Sequence, residues 1–271
     1  MDIAIIVSTK DQAGMNIRSN LAPHFTETEE EYDRHRILEK TIKDNRIRLV
    51  TTDKNSIDCE HIDKELPSDL IIFATKHQSA AGIPSLSVHS PGNWGNAEMG
   101  GKDNFLCTAP PNLLRHALFK LEEKAKEMEQ EIVQECTHHG PALDCPVMFI
   151  EIGSSEVQWT DPKAGDIIAQ TILELLDEIN IIPKHKIAFG IGGPHHCPQF
   201  TRAIHRTDLA FGHICPKYML TSLTKKMIEQ AIQKPKADIV VLDWKGLSSE
   251  KRRIKDILDS LKIPYERTNR L

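Results

Sequence analysis

Seven of the chain's thirteen histidines stand where they could do chemistry: His77, His89, His138, His139, His195, His196 and His213. Each lies beside the end of an apolar run or in a Gly-Pro loop. Neutral imidazole is the commonest metal ligand and the side chain best poised for proton transfer near neutral pH. Two pairs recur in similar settings, Thr137-His138-His139-Gly140-Pro141 and Gly190-Ile191-Gly192-Gly193-Pro194-His195-His196-Cys197-Pro198. In the second, the glycines permit positive φ and close approach, while Pro194 and Pro198 fix φ on either side. Such a strand-end loop can present imidazoles to a ligand. A plain turn with two exposed histidines is the competing reading, and the second His-His pair weighs against it.

A catalytic zinc takes three His or carboxylate ligands and leaves one position open to water. Glu135 and Glu151 are the carboxylates within reach of this pattern. Glu151 stands in the apolar run 147–152, where a buried carboxylate requires a cation, a metal or a close hydrogen-bonding shell. Neither H-E-x-x-H nor paired C-x-x-C occurs, so any site must be gathered from loops far apart in sequence. Side chains of adjacent residues diverge on an extended backbone. One histidine of each pair is therefore expected to bind metal while the other donates a hydrogen bond or meets substrate. A structural zinc at Cys136, Cys145 and His138 or His139 is a weaker alternative. The glycines at 190–193 have the wrong spacing for a dinucleotide or P-loop fingerprint, so no nucleotide cofactor is expected. No Gly-x-Ser-x-Gly elbow appears.

These loops need a scaffold that brings them together. Apolar runs predict strands at 2–9, 48–52, 69–75, 84–89, 146–153, 186–189 and 238–243, with an edge strand at 263–267. Lys76 and His77 follow the third of these, at the carboxyl end where open α/β sheets place ligand groups. The stretch 11–20 reads as a loop or short helix, and the acidic stretch 27–40 as partly helical. Leu114, Leu118, Leu121, Ala125, Met128 and Ile132 form one apolar stripe, which predicts a helix from 112 to 135 with His116 on its surface. Asp161 and Pro162 start a further helix by side-chain cap and N1 proline. Further helices are expected over 217–233 and 248–261, the last capped by Ser248. The loop at 90–111, rich in Gly, Asn and Pro, is long enough to be functional. Alternating strands and helices give an α/β fold, a mostly parallel or mixed sheet flanked by helices. It is expected as one unit over 1–271, or as two closely packed subdomains breaking near 90–111.

Composition sets the class. The chain has 271 residues, 39% of them hydrophobic and 27% charged, as in soluble globular proteins. No apolar run approaches a membrane span. The apolar start at 3–7 follows Asp2 instead of a basic segment and is too short for a signal peptide. Six cysteines without C-x-x-C spacing predict reduced thiols and a cytoplasmic setting. The net charge of −5 hides an asymmetry: residues 181–271 carry 17 Lys and Arg against 8 Asp and Glu, and residues 1–180 carry 17 against 31. A basic face on an acidic body suits phosphate, with Lys225, Lys226, Lys251, Arg252 and Arg253 as the candidate RNA contacts.

Three blocks give the chain a resemblance. They are Thr75-Lys76-His77 with Ser79, Gly82-Ile83-Pro84 and Val88-His89-x-Pro91-Gly92-Asn93; Thr137 to Pro141 with Glu151-Ile152-Gly153-Ser154; and Gly192 to Thr201 followed by 210–214 and Lys217-Tyr218. In this order they resemble the D-aminoacyl-tRNA deacylase family found in archaea and plants, distinct from the bacterial type. The resemblance implies hydrolysis of the ester between a D-amino acid and the 3′ end of tRNA, with zinc as cofactor and aminoacylated tRNA as partner. It also implies a fold similar to phosphorylases and peptidyl-tRNA hydrolases. On this reading His77, His138, His195 and Glu151 are catalytic, and His77, His89, His138, His139, His195 and His196 are the candidate metal ligands. Lys76, Asn93, Gly192, Gly193, His213 and Lys217 are the expected substrate contacts, and the chain is expected to act as a monomer. Lys76 stands where the family pattern has Arg, keeping charge but losing the planar fork. His196 stands where an aromatic is common, which leaves His195 the stronger of its pair. The competitors are a zinc-dependent amidohydrolase or peptidase on small substrates, a phosphorylase-like transferase, and a non-catalytic RNA-binding protein. The last has little material for base stacking, with 5% aromatic residues.

Overall fold

The apolar runs form two sheets, one mixed and one parallel, whose carboxyl-terminal edges meet at the histidine loops. A computed structural model describes residues 1–80 and 82–271. The first sheet draws on β1 (Asp2–Ser8), β2 (Thr26–Tyr32), β3 (His35–Ile42), β4 (Asn45–Thr52), β5 (Leu70–Gln78) and β6 (Ser85–His89). After a small ladder of β7 (Gly92–Asn93) and β8 (Phe105–Leu106), it is completed by β9 (Glu131–Gln134) and β10 (Val147–Ser154). Its order is β2-β3-β4-β1-β5-β10-β6-β9. The second sheet holds β11 (Lys186–Ile191), β12 (Leu209–Cys215), β13 (Ile239–Leu242) and β14 (Tyr265–Arg267), all parallel, in the order β12-β11-β13-β14.

The helices are α1 (Gln12–Leu21), α2 (Ile62–Glu65), α3 (Pro111–Lys124), α4 (Glu156–Trp159), α5 (Pro162–Glu178), α6 (Pro198–Arg206), α7 (Lys225–Gln233) and α8 (Lys251–Ser260). The α/β class is as expected. Strand alternation explains the central layer: Ile72 and Ala74 of β5, Ile150 and Ile152 of β10, and Leu86 and Val88 of β6 share one face. That face is buried with α1, α3 and α5 in one hydrophobic cluster that also reaches Ala188 and Val241 of the second sheet. The opposite face of the same strands carries Phe73, Phe149 and, beyond them, the polar groups of the site.

Four local expectations are corrected. The acidic stretch 27–40 is not helical but the β2–β3 hairpin, joined through Asp33 and Arg34, both at positive φ as a two-residue hairpin turn requires. Its glutamates are spread across strands and matched by arginines, with Arg36 on Glu29 at 3.1 Å and Arg46 on Glu39 at 2.7 Å. The helix from 112 ends at Lys124, because the β-branched pair Ile132-Val133 joins β6 as a parallel edge strand. Met128 and Ile132 still pack on the same cluster, which is why the stripe looked continuous. The stretch 217–233 splits into a 3-10 turn (Lys217–Ser222) and α7, which Thr224 caps by accepting from the Met227 N–H. Ser248 opens a short 3-10 turn before α8 and makes no side-chain cap. The Asp161 cap of α5 is as expected, its side chain accepting from Lys163 N–H at 2.9 Å. No helix of the described residues is long and apolar enough to cross a membrane.

Candidate active site

β5 is apolar and buried from Leu70 to Ala74, then turns polar at its carboxyl end with Thr75, Lys76 and His77. In register beside it, Glu151 of β10 pairs with Thr75, and Thr75 Oγ1 donates to Glu151 Oε1 at 2.8 Å. On the other flank β10 runs antiparallel to β6, which places His89 opposite Phe149, the two rings stacked with centroids 5.1 Å apart. Thr75, His77, Glu151 and His89 therefore project from one face of three adjacent strands, by the period-two rule. Gly153 sits opposite His77, and a Cβ there would strike Ser85 Oγ and approach His77 at 3.1 Å, so only glycine lets the imidazole lie flat on the sheet.

The segment 135–139 crosses over this face. Glu135 N–H donates to Val88 O, Cys136 N–H to His195 O and Thr137 N–H to Ile214 O, so the segment stitches the first sheet to the second. His139 adopts φ 44°, which departs from the extended backbone assumed from sequence and turns both imidazoles inward. His138 and His139 lie with ring centroids 4.3 Å apart, and each packs on His89. The expectation that adjacent histidines diverge is thus corrected at this pair. His138 Nδ1 faces Cys136 O at 2.8 Å and His139 Nδ1 faces Gly140 O at 2.6 Å, so both Nδ1 atoms are donors and each Nε2 is left to the cluster.

The loop after β11 delivers the fourth wall. Gly192 and Gly193 hold φ of 107° and 85°, and a Cβ on Gly192 would press on Asp243 at 3.0 Å. Cys197, itself at positive φ, precedes α6, with Pro198 at its first turn. His195 points its Nε2 at Glu135 Oε2, 3.0 Å away, and its Nδ1 at the Tyr218 hydroxyl, also 3.0 Å. Cys136 Sγ lies 3.5 Å from the same Nδ1. His77 Nδ1 stands 3.4 Å from Glu135 Oε1 and 3.6 Å from Glu151 Oε2, and His89 Nε2 stands 3.6 Å from Glu151 Oε2.

Electrostatics follow from the packing. Burial pushes the Glu151 carboxyl up, yet His89, His77 and His139 outweigh it and hold the group well below the usual carboxylate range. Glu135 is likewise pushed up by burial and, more strongly, held down by His195 and the neighbouring imidazoles. Burial opposes the charged form of His195, but Cys136 and Glu135 raise its pKa to about 11. His139 is pushed well below the usual imidazole value by burial and by the neighbouring His138 and His89. Two buried carboxylates are thus ionised in a nest of imidazoles.

Three overlapping groups bring possible ligand atoms within 4.8 Å of one another: His77, Glu135, His138 and His195; His89, His138 and His139; and His89, Glu135 and Glu151. The donors are imidazole nitrogens and carboxylate oxygens, a set suited to zinc. Several make no hydrogen bond despite burial, among them His77 Nε2, both His89 nitrogens, Glu135 Oε1 and Glu151 Oε2, the carboxylate oxygens meeting imidazoles only at 3.4–3.6 Å. Orphaned buried polar atoms of this kind fit a cation.

The cluster forms the floor of a cavity of about 1020 Å³. Lys76 lines it, its ammonium 4.9 Å over the Trp159 ring. His196 lines it too but bonds Glu131 through Nδ1 at 3.0 Å and stands outside the three ligand groups. Asn93, Gly192, Gly193, His213 and Lys217 are not on its walls. Asn93 donates to Gly100 O, and His213 is buried between Thr137 Oγ1 and Cys107 O, each at 3.0 Å. Lys217 is exposed, and its backbone N–H holds Gly193 O. Lys225, Lys226 and Arg252 are exposed, whereas Arg253 is occupied by Glu250 and the carbonyls of Leu220 and Leu223. Among the described residues Cys136 and Cys145 join no ligand group. The wall residues Ser8, Lys10, Asp11, Ile57, Met99 and Arg202 were not singled out from sequence. The signal for the first three was present, since they follow β1 as Lys76 and His77 close β5.

An α/β protein with two ionised carboxylates and five imidazoles beneath an open cavity is of the class that moves protons, or polarises a bond with a metal, in a bound substrate. A family model described as D-aminoacyl-tRNA deacylase matches residues 64–266. The D-aminoacyl-tRNA deacylase of Pyrococcus furiosus is 38% identical over 96% of this chain and 98% of its own length. That of Thermococcus onnurineus is 39% identical over 97% and 99%. A crystal structure of a conserved protein of unknown function superposes with a TM-score of 0.89 at 28% identity, covering 100% of this chain and 96% of the other. The chain belongs to the D-aminoacyl-tRNA deacylase family, in its archaeal type, and so to the hydrolases.

Proposed function

We propose that this chain hydrolyses the ester joining a D-amino acid to the 3′ end of tRNA, releasing both in the cytoplasm. The observation that carries the reading is the buried Glu135–Glu151–imidazole cluster on the floor of a cavity of about 1020 Å³, in a chain of this family. An aminoacyl ester is activated, so modest help to water and carbonyl suffices.

The donor set and its orphaned atoms support zinc. His89, His138 and His139 would hold it, or His77, Glu135 and His195 would hold it with His138 as the shared ligand. Zinc, when bound, polarises a carbonyl and makes water acidic near neutral pH. Thr75 fixes Glu151 by its 2.8 Å hydrogen bond, and Glu151 in turn orients His77 and His89. With zinc on the His89–His138–His139 group, His195 stays free, held between Glu135 and the Tyr218 hydroxyl, to keep a proton at the cavity wall and pass it to the leaving ribose oxygen. Lys76 faces the cavity as a substrate contact, and exposed Lys225, Lys226 and Arg252, with half-buried Lys251 over the Trp244 ring, offer phosphate contacts farther along the acceptor arm.

The test compares D- and L-aminoacyl-tRNA hydrolysis before and after chelation, with metal analysis on the same sample. The D-ester should be cleaved about 10- to 100-fold faster, the discrimination that pocket contacts supply, and chelation should abolish the reaction. Equal rates on the two stereoisomers would overturn the function; unchanged rates after complete metal removal would overturn the zinc.

A further inference from the structure

The floor of the cavity sets carboxylates among imidazoles, whereas its rim carries cations. Lys10, in the β1–α1 loop, and Arg202, on α6, are exposed side chains that line the cavity from opposite walls. Among the described residues neither has a hydrogen bond or ion pair at its charged tip. Lys76 lines the first wall beside Lys10, because Asp11 accepts from its backbone N–H at 2.9 Å. Both Asp11 oxygens are engaged by backbone N–H groups, of Gly14 and Lys76. The Lys76 ammonium rests on the Trp159 ring, which is itself pinned by a 2.9 Å hydrogen bond from Nε1 to His77 O. A cation held by an aromatic face keeps its donors free for an anion. The exposed carboxylate on this rim, Glu131, is occupied by His196.

An aminoacyl group alone is far smaller than this cavity of about 1020 Å³. Cations left unpaired at a rim call for a polyanion that enters from outside. We propose that Lys10, Lys76 and Arg202 seat the phosphodiester backbone of the substrate's single-stranded 3′ end, which passes between the β1–α1 loop and α6. This rests on the deacylase reading. The same chemistry would take free inorganic phosphate, and the test separates the two sources.

The exposed pair is replaced together, as Lys10→Gln with Arg202→Gln, and kinetics are measured on a D-aminoacyl-tRNA and on the same D-amino acid esterified to adenosine, which has no phosphate. On tRNA, KM should rise about tenfold or more with kcat largely kept, and the log–log salt dependence of kcat/KM should flatten by about 1.4, two single-strand phosphate contacts' worth. On the adenosine ester the loss should stay under about twofold. Equal losses on both substrates, or none on tRNA, overturn the proposal. So does competition by inorganic phosphate, at fixed ionic strength, that the substitutions relieve while the tRNA KM stays put. If the unsubstituted enzyme cleaves neither D-ester, the deacylase reading itself falls and takes this one with it.

Discussion

At the scale of single residues, the histidine pairs divide their labour unequally. His138 and His139 both enter the cluster because His139 leaves the extended region, whereas His195 enters and His196 turns to Glu131. Glu151→Gln keeps an acceptor for Thr75 but removes the charge that three imidazoles surround. Its kcat/KM on D-aminoacyl-tRNA should drop at least about 100-fold and its zinc content with it, as for a metal-linked carboxylate. His138→Ala should do the same. His196→Ala, by contrast, loses the Glu131 pair and ring contacts to His77 and His195 but no ligand, and should leave metal content unchanged and lower kcat/KM far less than Glu151→Gln does. Rates and metal content on variants with unaltered circular dichroism decide the matter; an active, zinc-replete Glu151→Gln would remove Glu151 from the site.

At the scale of elements, the site depends on loops that pass within contact distance of each other. Gly140, behind the His138–His139 pair, lies against Gly100 and Gly101; a Cβ on it would overlap Gly101 N and sit 2.5 Å from the Gly100 carbonyl carbon. Backbone on both sides cannot give way as a side chain can. Gly140→Ala should therefore lose about 1–3 kcal/mol in urea unfolding, the usual range for overpacking, and should weaken zinc binding by displacing both imidazoles. A variant with unchanged stability and unchanged zinc affinity would contradict the close packing. The same dependence explains what could be read beforehand. β5, β10 and β13 declared themselves as apolar runs with polar ends, and so did Thr75, His77 and Glu151. The Asp161-Pro162 start of α5 is likewise a local signal. The β2–β3 hairpin was hidden because its turn, Asp33-Arg34, lacks glycine, and its charges are balanced only by arginines in neighbouring strands. His139 was misjudged because its positive φ is set by the passage through Gly140 and Pro141. Lys10 and Arg202 belong to the cavity only through the closing of one sheet on the other, which no spacing along the chain reveals.

At the scale of the whole molecule, the apolar cluster that spans both sheets is supplemented by a buried polar contact. His213 on β12 donates Nε2–H to Cys107 O, near β8, and accepts at Nδ1 from the Thr137 hydroxyl, which in turn accepts from Ile214 N–H. Trp94 Nε1 donates to Thr137 O in the same joint. The segment that carries Glu135, His138 and His139 hangs from it. Burial drives the His213 pKa down to about 3, with the positive Lys234 adding to the effect. In the unfolded chain the imidazole would titrate near 6.5. Between these values the unfolded state binds the extra proton, so stability rises with pH across that window. The stabilisation is fully present above about pH 6.5 and fades as the pH falls toward 3, at a rate approaching about 1.4 kcal/mol per pH unit for this one group. His139 adds a slope of the same sign, so the comparison must be with a variant. Urea unfolding of wild type and His213→Gln at pH 7, 6, 5 and 4 should give two curves that converge on acidification. The variant starts about 1–3 kcal/mol lower for its damaged hydrogen bonds and then declines less steeply. The His213 ring signals in wild type should stay those of a neutral imidazole at pH 4. Parallel stability curves from pH 7 to 4 would mean that His213 is accessible to protons in the native state, and that its burial contributes nothing to the pH dependence of the joint.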